Sequence, residues 1–329
     1  MKAMLTDERK NFVWTDVPDP VIRPEEVLVR ICAAALNRAD LLQREGKYPS
    51  PPGCPEWMGL EISGIVEKVG AIAAERSAWK VGDRVCALLG GGGYSEYAAV
   101  KYDMLMPIPA GLTMVQAAAL PEAYATTYLN LFLEGHLEAG QTVFIPAGAS
   151  GLASVAIPMA KAFGARVLTS VRHEEQVPLI APLGADRVIS TKREDVAAVL
   201  AEEEAAGHPV NVVMDCLGGD LPGKCLPYMA RGGYWIIIAT LAGTETTAPL
   251  RALMGKALHL MGSTLRSRPP EYKAFILSQL VEKVWPKLES GQLRPSIYRV
   301  LPISQVEEAH AILQRGENIG KVVMTVSEA

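Results

Sequence analysis

Several features that would send a reader elsewhere are missing from this sequence. The opening stretch "MKAMLTDERKNFVW" has no apolar segment of the secretory kind, and no uninterrupted apolar run of about 18 residues occurs. Cysteine is sparse: Cys32, Cys54, Cys86, Cys216 and Cys225 are odd in number, scattered, and never in C-x-x-C spacing, which argues against a disulfide framework or a dithiol motif. Positive charge is not in excess. The net charge of −4 gives no electrostatic reason to expect nucleic acid or an anionic membrane as partner. Internal repeats and low-complexity linkers are lacking as well. These absences lead to the expectation of a reduced, cytoplasmic enzyme with a small-molecule substrate.

What is present is a chain of 329 residues, 49% apolar and 21% charged, too long for one ordinary core and rich enough in apolar residues for two. Its character changes twice. Strand and turn signals dominate up to about residue 120: "EEVLVRI" alternates Val27, Val29 and Ile31, "SGIVEKVG" closes on Gly70, and "GDRVCALL" follows a Gly82-Asp83 turn. Between 142 and 263, strand-like runs such as "TVFIP", "RVLTSV", "RVIS", "VNVVMDCL", "GYWIIIAT" and "ALHLMGST" alternate with helix-length segments. That alternation implies right-handed crossovers and a parallel sheet. After 270 come an amphipathic helix in "EYKAFILSQLVEKVWPKLESG", the run "YRVLPI", a helix over 304–315 and a closing strand "GKVVMTV". The expected α/β architecture is a mainly β domain built from both chain ends, 1–123 and 264–329, with a doubly wound parallel-sheet domain, 124–263, inserted.

The loop in "TVFIPAGASGLASVAIPMAKAFGARVL" sits where such a domain holds a dinucleotide. Against G-x-G-x-x-G/A it offers Gly148, Ser150 and Ala153, with Gly151 in addition. Gly148 can make the tight turn, and Ala153 is small enough for close helix–strand packing. Ser150 is the departure: its Cβ stands where phosphates should pass, although its hydroxyl could donate to one. Leu152, Val155, Ala156, Met159, Ala160 and Phe163 form one apolar face of the helix expected over 151–163. Amides at that helix's N-terminus would complete an anion site. A small-residue turn that merely packs is the alternative reading of the loop alone. "GGGGYSEY" at 90–97 looks like a second phosphate loop but opens a strand, and is expected to be a flexible turn.

"ALNRADLLQREGKYPSPPG", "GLEISGIVEKVG", "GDRVCALLGGGGYSEYAAV", "AAALPEAYATTY", "LGADRVIS", "DCLGG" and "GSTLRSR", spread along most of the chain, together resemble the zinc-independent NADPH:quinone oxidoreductases of the medium-chain dehydrogenase/reductase superfamily. The resemblance implies a GroES-like catalytic domain around a Rossmann domain, NADPH as cofactor, and hydride transfer to quinones or related conjugated carbonyls. It also implies a homodimer paired through an edge strand, here near 258–263. Enone or enoyl-thioester reduction is the neighbouring enzymatic reading; an NADPH sensor without turnover belongs to another class. Where the family has A-x-x-G-x-x-G, this chain has Ala147, Ser150 and Ala153, which puts the detailed phosphate contacts in question.

The superfamily also contains zinc enzymes, whose catalytic metal wants thiolate and imidazole ligands. The matching places here hold Asn37, Leu60 and Glu122. Glu61 cannot make a site by itself, the four close cysteines of a structural zinc lobe do not exist, and no histidine stands at ligand spacing from a cysteine. No metal is expected. The resemblance instead places Asn37, Asp40 and Tyr48 beside the nicotinamide. Asn37 can donate an amide N–H, and Tyr48 a phenolic O–H. Asp40 either orients donors or caps the helix in "ADLLQRE", and Tyr48 could equally anchor "PSPPG". Thr126 matches a position near the nicotinamide carboxamide.

The cofactor-contacting candidates are Thr126, Ala147, Gly148, Ser150, Gly151, Leu152, Ala153, Ser170, Arg172 and Lys192. NAD enzymes place an acid about 20 residues past the loop, on the ribose 2′-OH. Here the second strand ends Thr169-Ser170-Val171-Arg172-His173, and the first acid is Glu174. Arg172 can meet a 2′-phosphate with a planar charged fork, Ser170 can add a hydroxyl, and Lys192 and Arg193 can flank it. Arg172 could also be a solvated residue paired with Glu175 or Gln176.

Overall fold

The computed structural model describes residues 1–327. They group into two compact units, Met1–Ala125 with the segment from Arg266 onward, and Thr126–Leu265.

The first unit is built on a mixed sheet of seven strands. Its path runs Ile297–Pro302, Lys321–Thr325, Glu26–Ala35, Glu61–Val69, Arg84–Leu88, Leu105–Pro107, with Tyr97–Lys101 pairing Glu26–Ala35 off that path. A hairpin of Lys2–Thr6 and Phe12–Asp16 stands apart. Glu26–Ala35 is the organising strand, and the structure extends it well beyond the alternating "EEVLVRI". Val27, Val29 and Ile31 are buried, as the alternation requires, but Cys32 through Ala35 are then buried without a break. The second half is covered on both faces. Ala33 and Ala35 are small enough for the helix Met114–Ala118 to approach, and they share a cluster with Ala118, Ala119 and Val323. Register shifts between Leu28 and Val29 and between Ile31 and Ala33 let the long strand change partner as it bends.

The second unit has a six-stranded parallel sheet in the order Arg187–Ser190, Arg166–Val171, Thr142–Ile145, Val210–Asp215, Met229–Ile237, His259–Gly262. This is the doubly wound order, with the first strand of the unit at the point where the winding reverses. Phe144, Leu168, Val213 and Trp235 meet in its core.

Prolines account for most differences from the sequence expectation. The helix expected over 151–163 forms as Ala153–Ala162 with Pro158 inside it. The segment 174–182 breaks into Glu174–Gln176, Val177–Ile180 and Ala181–Leu183, because Pro178 and Pro182 each remove a backbone donor. Pro286 splits the long C-terminal helix into Pro270–Lys283 and Trp285–Glu289. The "GGGGYSEY" segment is not a flexible turn. Gly91 to Ser95 are buried or nearly so, and a Cβ on Gly59 would lie 2.5 Å from the Gly93 Cα. Glycine there serves close backbone packing, not mobility.

Candidate functional site

In the first unit, Asn37 ends the strand region and precedes the helix Arg38–Arg44. Its backbone N–H donates to Asp40 Oδ2 at 2.8 Å, so Asp40 closes one arm of a capping box at the third helical position. The other Asp40 oxygen accepts from the Gly59 N–H at 3.2 Å, and the Tyr94 hydroxyl also bonds this carboxylate. Asp40 is completely buried. Desolvation pushes its pKa up to about 6, against the opposing pull of those N–H groups, Lys321 and Tyr94. Of the two roles open to Asp40, the structure shows the cap, and its oxygens are turned inward.

The Asn37 side chain is held from two sides. Its Oδ1 accepts from the Lys321 Nζ at 2.6 Å, and its Nδ2 donates to Glu61 Oε1 at 2.9 Å. Lys321 and Glu61 are themselves an ion pair at 2.7 Å, with both side chains buried. The Glu61 Oε2 accepts the Glu122 N–H at 2.9 Å. Lys321 opens its strand, and the pairing of that strand with Glu26–Ala35 brings it to Leu36, whose carbonyl takes another ammonium proton at 2.8 Å. Glu122, partly open to solvent, has its carboxyl pushed up to about 8, first by desolvation and second by the charge of Glu61. Leu60 is buried apolar carbon. Among the described residues, no three or more His, Cys, Asp or Glu are grouped to hold a metal ion.

Tyr48 lies on a loop clamped by Arg266. The guanidinium stacks 4.7 Å from the ring centroid, donates to the Tyr48 carbonyl at 3.2 Å, and bonds the Gly90 carbonyl and Gln43 Oε1 at 2.6 and 2.9 Å. Desolvation raises the Tyr48 phenol, Arg266 opposes this, and Glu122 adds to it. Lys273, on the helix Pro270–Lys283, is lowered by desolvation while Cys54 and Glu122 act the other way. Tyr48, Glu122, Arg266 and Lys273 therefore share one electrostatic neighbourhood.

In the second unit the loop after Thr142–Ile145 has the strain and the free donors of an anion cradle. Ala147 is left-handed at φ +56°, and a Cβ on Gly148 would collide with Thr169 Oγ1. Ser150 turns its hydroxyl oxygen inward to accept the Ala153 N–H at 3.1 Å, so it caps the helix and keeps only its O–H for a ligand. The Gly148 N–H goes to the Ser170 carbonyl at 2.8 Å. Among the described residues, the amides of Ala149, Gly151 and Leu152 have no protein acceptor, and Gly151 and Leu152 are partly open. Three free amides at the start of a ten-residue helix fit a pyrophosphate. Thr126 is partly buried, and its carbonyl accepts from Asn130 Nδ2 at 2.7 Å. The next hydroxyl, Thr127 Oγ1, is buried without a partner among the described residues, just before the π-helical segment Leu129–Glu134.

Arg172 is exposed past the end of its strand and makes no ion pair among the described residues. The nearby acids are engaged elsewhere: Glu174 with Arg193 at 2.6 Å, and Glu175 3.9 Å from the His173 imidazole. Lys192 is exposed on the turn after Arg187–Ser190, the strand that pairs Ser190 with Val171. Arg172 and Lys192 thus stand at neighbouring strand ends, whereas Ser170 is buried.

Sequence reasoning missed Lys321 and Arg266. A lysine opening the otherwise apolar "KVVMT" was a usable signal, because burial of that strand forces the ammonium to find partners. Arg266 gave none beyond its place in "GSTLRSR".

A seven-stranded GroES-like unit and a doubly wound unit define the fold of a medium-chain dehydrogenase/reductase, and family models agree. The alcohol dehydrogenase GroES-like domain matches residues 23–110 and the zinc-binding dehydrogenase family matches residues 183–324. A quinone oxidoreductase-like protein 2 homolog from Nematostella vectensis is 33% identical over 92% of this chain and 82% of its own length. The crystal structure of the quinone oxidoreductase from Thermus thermophilus, solved also in complex with NADPH, is 29% identical with a TM-score of 0.82, covering 99% of this chain and 100% of that one. A highly reducing polyketide synthase from Cordyceps militaris matches at 30% identity over 97% of this chain, which spans 12% of that protein. The chain belongs to the quinone oxidoreductase family of that superfamily, and it is an oxidoreductase.

Proposed function

We propose that the protein reduces quinones or related conjugated carbonyls with hydride from NADPH and without zinc. The observation that carries this reading is the Asn37 amide. One Nδ2 proton is given to Glu61, Oδ1 is taken by Lys321, and the second Nδ2 proton has no acceptor among the described residues. A preorganised N–H of this kind can meet the negative charge that grows on an acceptor oxygen. The bound cofactor would supply the hydride from nicotinamide C4. The free amides of Ala149, Gly151 and Leu152 would hold its pyrophosphate, and Arg172 with Lys192 would bind a 2′-phosphate. Tyr48, in the same neighbourhood as Glu122, would pass a proton to the product.

The zinc-independent reading rests on donor chemistry. Of the three places matching zinc ligands, Leu60 offers no donor, Asn37 has its oxygen bonded to an ammonium, and only the Glu122 carboxylate could ligate. Lys321 already supplies a positive charge beside them. The protein is further proposed to act in the cytoplasm as a homodimer through the edge strand His259–Gly262. Among the described residues, no helix is long and apolar enough to cross a membrane.

Steady-state rates with a quinone and an enone, each with NADPH and NADH, test the assignment. Quinone turnover preferring NADPH is expected. Faster enone turnover would move the activity to the neighbouring class. Tight NADPH binding with no acceptor reduced would make the protein a sensor and end this reading.

A further inference from the structure

We infer that Lys321 is a positioning residue of the reductase, its ammonium and the Glu61 carboxylate together fixing the Asn37 amide with its nitrogen free to face the acceptor. The inference rests on the reading of Asn37 as the donor to that acceptor.

A terminal amide is nearly symmetric in shape, so packing does little to choose between its two orientations. Charge chooses here. Lys321 stands on the oxygen side at 2.6 Å and Glu61 on the nitrogen side at 2.9 Å. Reversal would set N–H against an ammonium and a carbonyl oxygen against a carboxylate. Lys321 is not itself a donor to substrate. Its three protons are matched by the Leu36 carbonyl, Asn37 Oδ1 and Glu61 Oε1 at 2.8, 2.6 and 2.7 Å, and it is buried. Glu61 is equally committed, since its second oxygen takes the Glu122 N–H.

The ammonium also balances a crowded set of acids. The groups facing Glu61 are Cys86 on Arg84–Leu88, Tyr94 after the glycine turn, Glu122 on the helix Pro121–Tyr128, and Lys321 itself, while Asp40 on the helix Arg38–Arg44 faces Tyr94, Glu122 and Lys321. Lys321 is the one cation among them. Without it, the oxygen side of the Asn37 amide would face no charge, and the amide would no longer be held one way from both sides.

The test compares wild type with Lys321→Met and with Lys321→Met/Glu61→Gln, the second removing both charges so that no carboxylate is left stranded. Quinone kcat is followed on the NADPH-saturated enzyme, alongside NADPH Kd. Loss of an oriented donor lowers kcat by roughly 10²-fold in enzymes that use one. For Lys321→Met the expectation is a fall toward that size, with NADPH Kd within about twofold of wild type on the same reasoning. The double variant is expected to fold and to stay slow. If Lys321→Met does not fold, the double variant decides alone. A folded double variant with wild-type kcat would overturn the inference. Should wild type reduce no acceptor at all, the functional reading fails and amide exchange in selectively 15N-asparagine-labelled protein decides this one. One slow and one fast Asn37 Nδ2 proton in wild type, both fast in the double variant, supports the lock; unchanged exchange refutes it.

Discussion

Replacing the Asp40 carboxylate by an amide isolates the cost of a buried charge from the value of its hydrogen bonds. Asp40 is wholly buried, and its pKa is raised from 3.8 to about 6. The folded protein therefore holds this proton more tightly than the unfolded chain, so between about pH 4 and pH 6 stability must fall as pH rises. At 1.36 kcal/mol per pH unit, the whole effect is about 3 kcal/mol, most of it expressed by pH 7. The substituted amide would not titrate, so this slope should vanish from the variant. It would, however, have one acceptor where the carboxylate has two: either the Asn37 N–H or the Gly59 N–H would face an amide N–H, at a cost of about 1–3 kcal/mol. Asp40→Asn should accordingly be clearly less stable than wild type at pH 4 and close to it at pH 7. Urea unfolding at pH 4, 5.5 and 7, followed by tryptophan fluorescence, reads this directly in a Glu122→Gln background, needed because the Asp40 charge helps to raise the Glu122 carboxyl. A stability difference that stays constant across the three pH values, or grows with pH, would refute the argument that Asp40 is buried at a net electrostatic cost.

Three further outcomes are expected. Arg172→Ala should raise the Kd for NADPH roughly 10- to 150-fold, the loss of one charge-assisted bond, and leave the NADH Kd nearly unchanged; equal weakening of both would remove Arg172 from the 2′-phosphate. Activity should survive a strong chelator, whereas stoichiometric zinc whose removal abolishes turnover and whose return restores it would defeat the zinc-free mechanism. Pro158→Gln should raise the melting temperature without changing cofactor affinity, because Pro158 is the partly exposed residue in an otherwise buried stretch of helix and lacks the N–H that would bond the Ser154 carbonyl. A lower melting temperature would mean that the core is fitted to the proline's shape.

The second unit was the more legible part of the chain. Its strands carry apolar runs such as "RVLTSV", which forms as Arg166–Val171, and its connections are local, so pattern and position coincide. Pattern failed where proline or glycine acted through contacts. "GGGG" has one composition whether it flexes or packs, and only the approach of Gly59 to Gly93 distinguishes the two. In the first unit the residues Asn37, Asp40 and Tyr48 could be proposed, but not what holds them. The partners of Asn37 lie 24 and 284 positions away, and those of Tyr48 include Arg266, 218 positions on. Periodicity carries no information over such separations. The rule that a buried charge needs an opposite one would have paired Glu61 with some lysine or arginine, without saying which.

The pairing of Lys321–Thr325 with Glu26–Ala35 has a consequence for how the protein is made. The second unit is one continuous stretch, with every strand of its sheet available once residue 262 has been synthesised. The first unit is different: its central strand, Glu26–Ala35, is made before the second unit, and its partner Lys321–Thr325 is made after it. Until Lys321 emerges from the ribosome, the Glu61 carboxylate lacks its ion-pair partner and the Asn37 amide lacks one of its two holders. An arrested chain ending before that lysine would present a folded nucleotide-binding half attached to an unfinished sheet with open strand edges, a form that protein quality control can detect. Synthesis of Lys321–Thr325 thus completes the sheet and brings the partner of Glu61 in one event, so the Asn37 amide cannot be held from both sides before that strand is made.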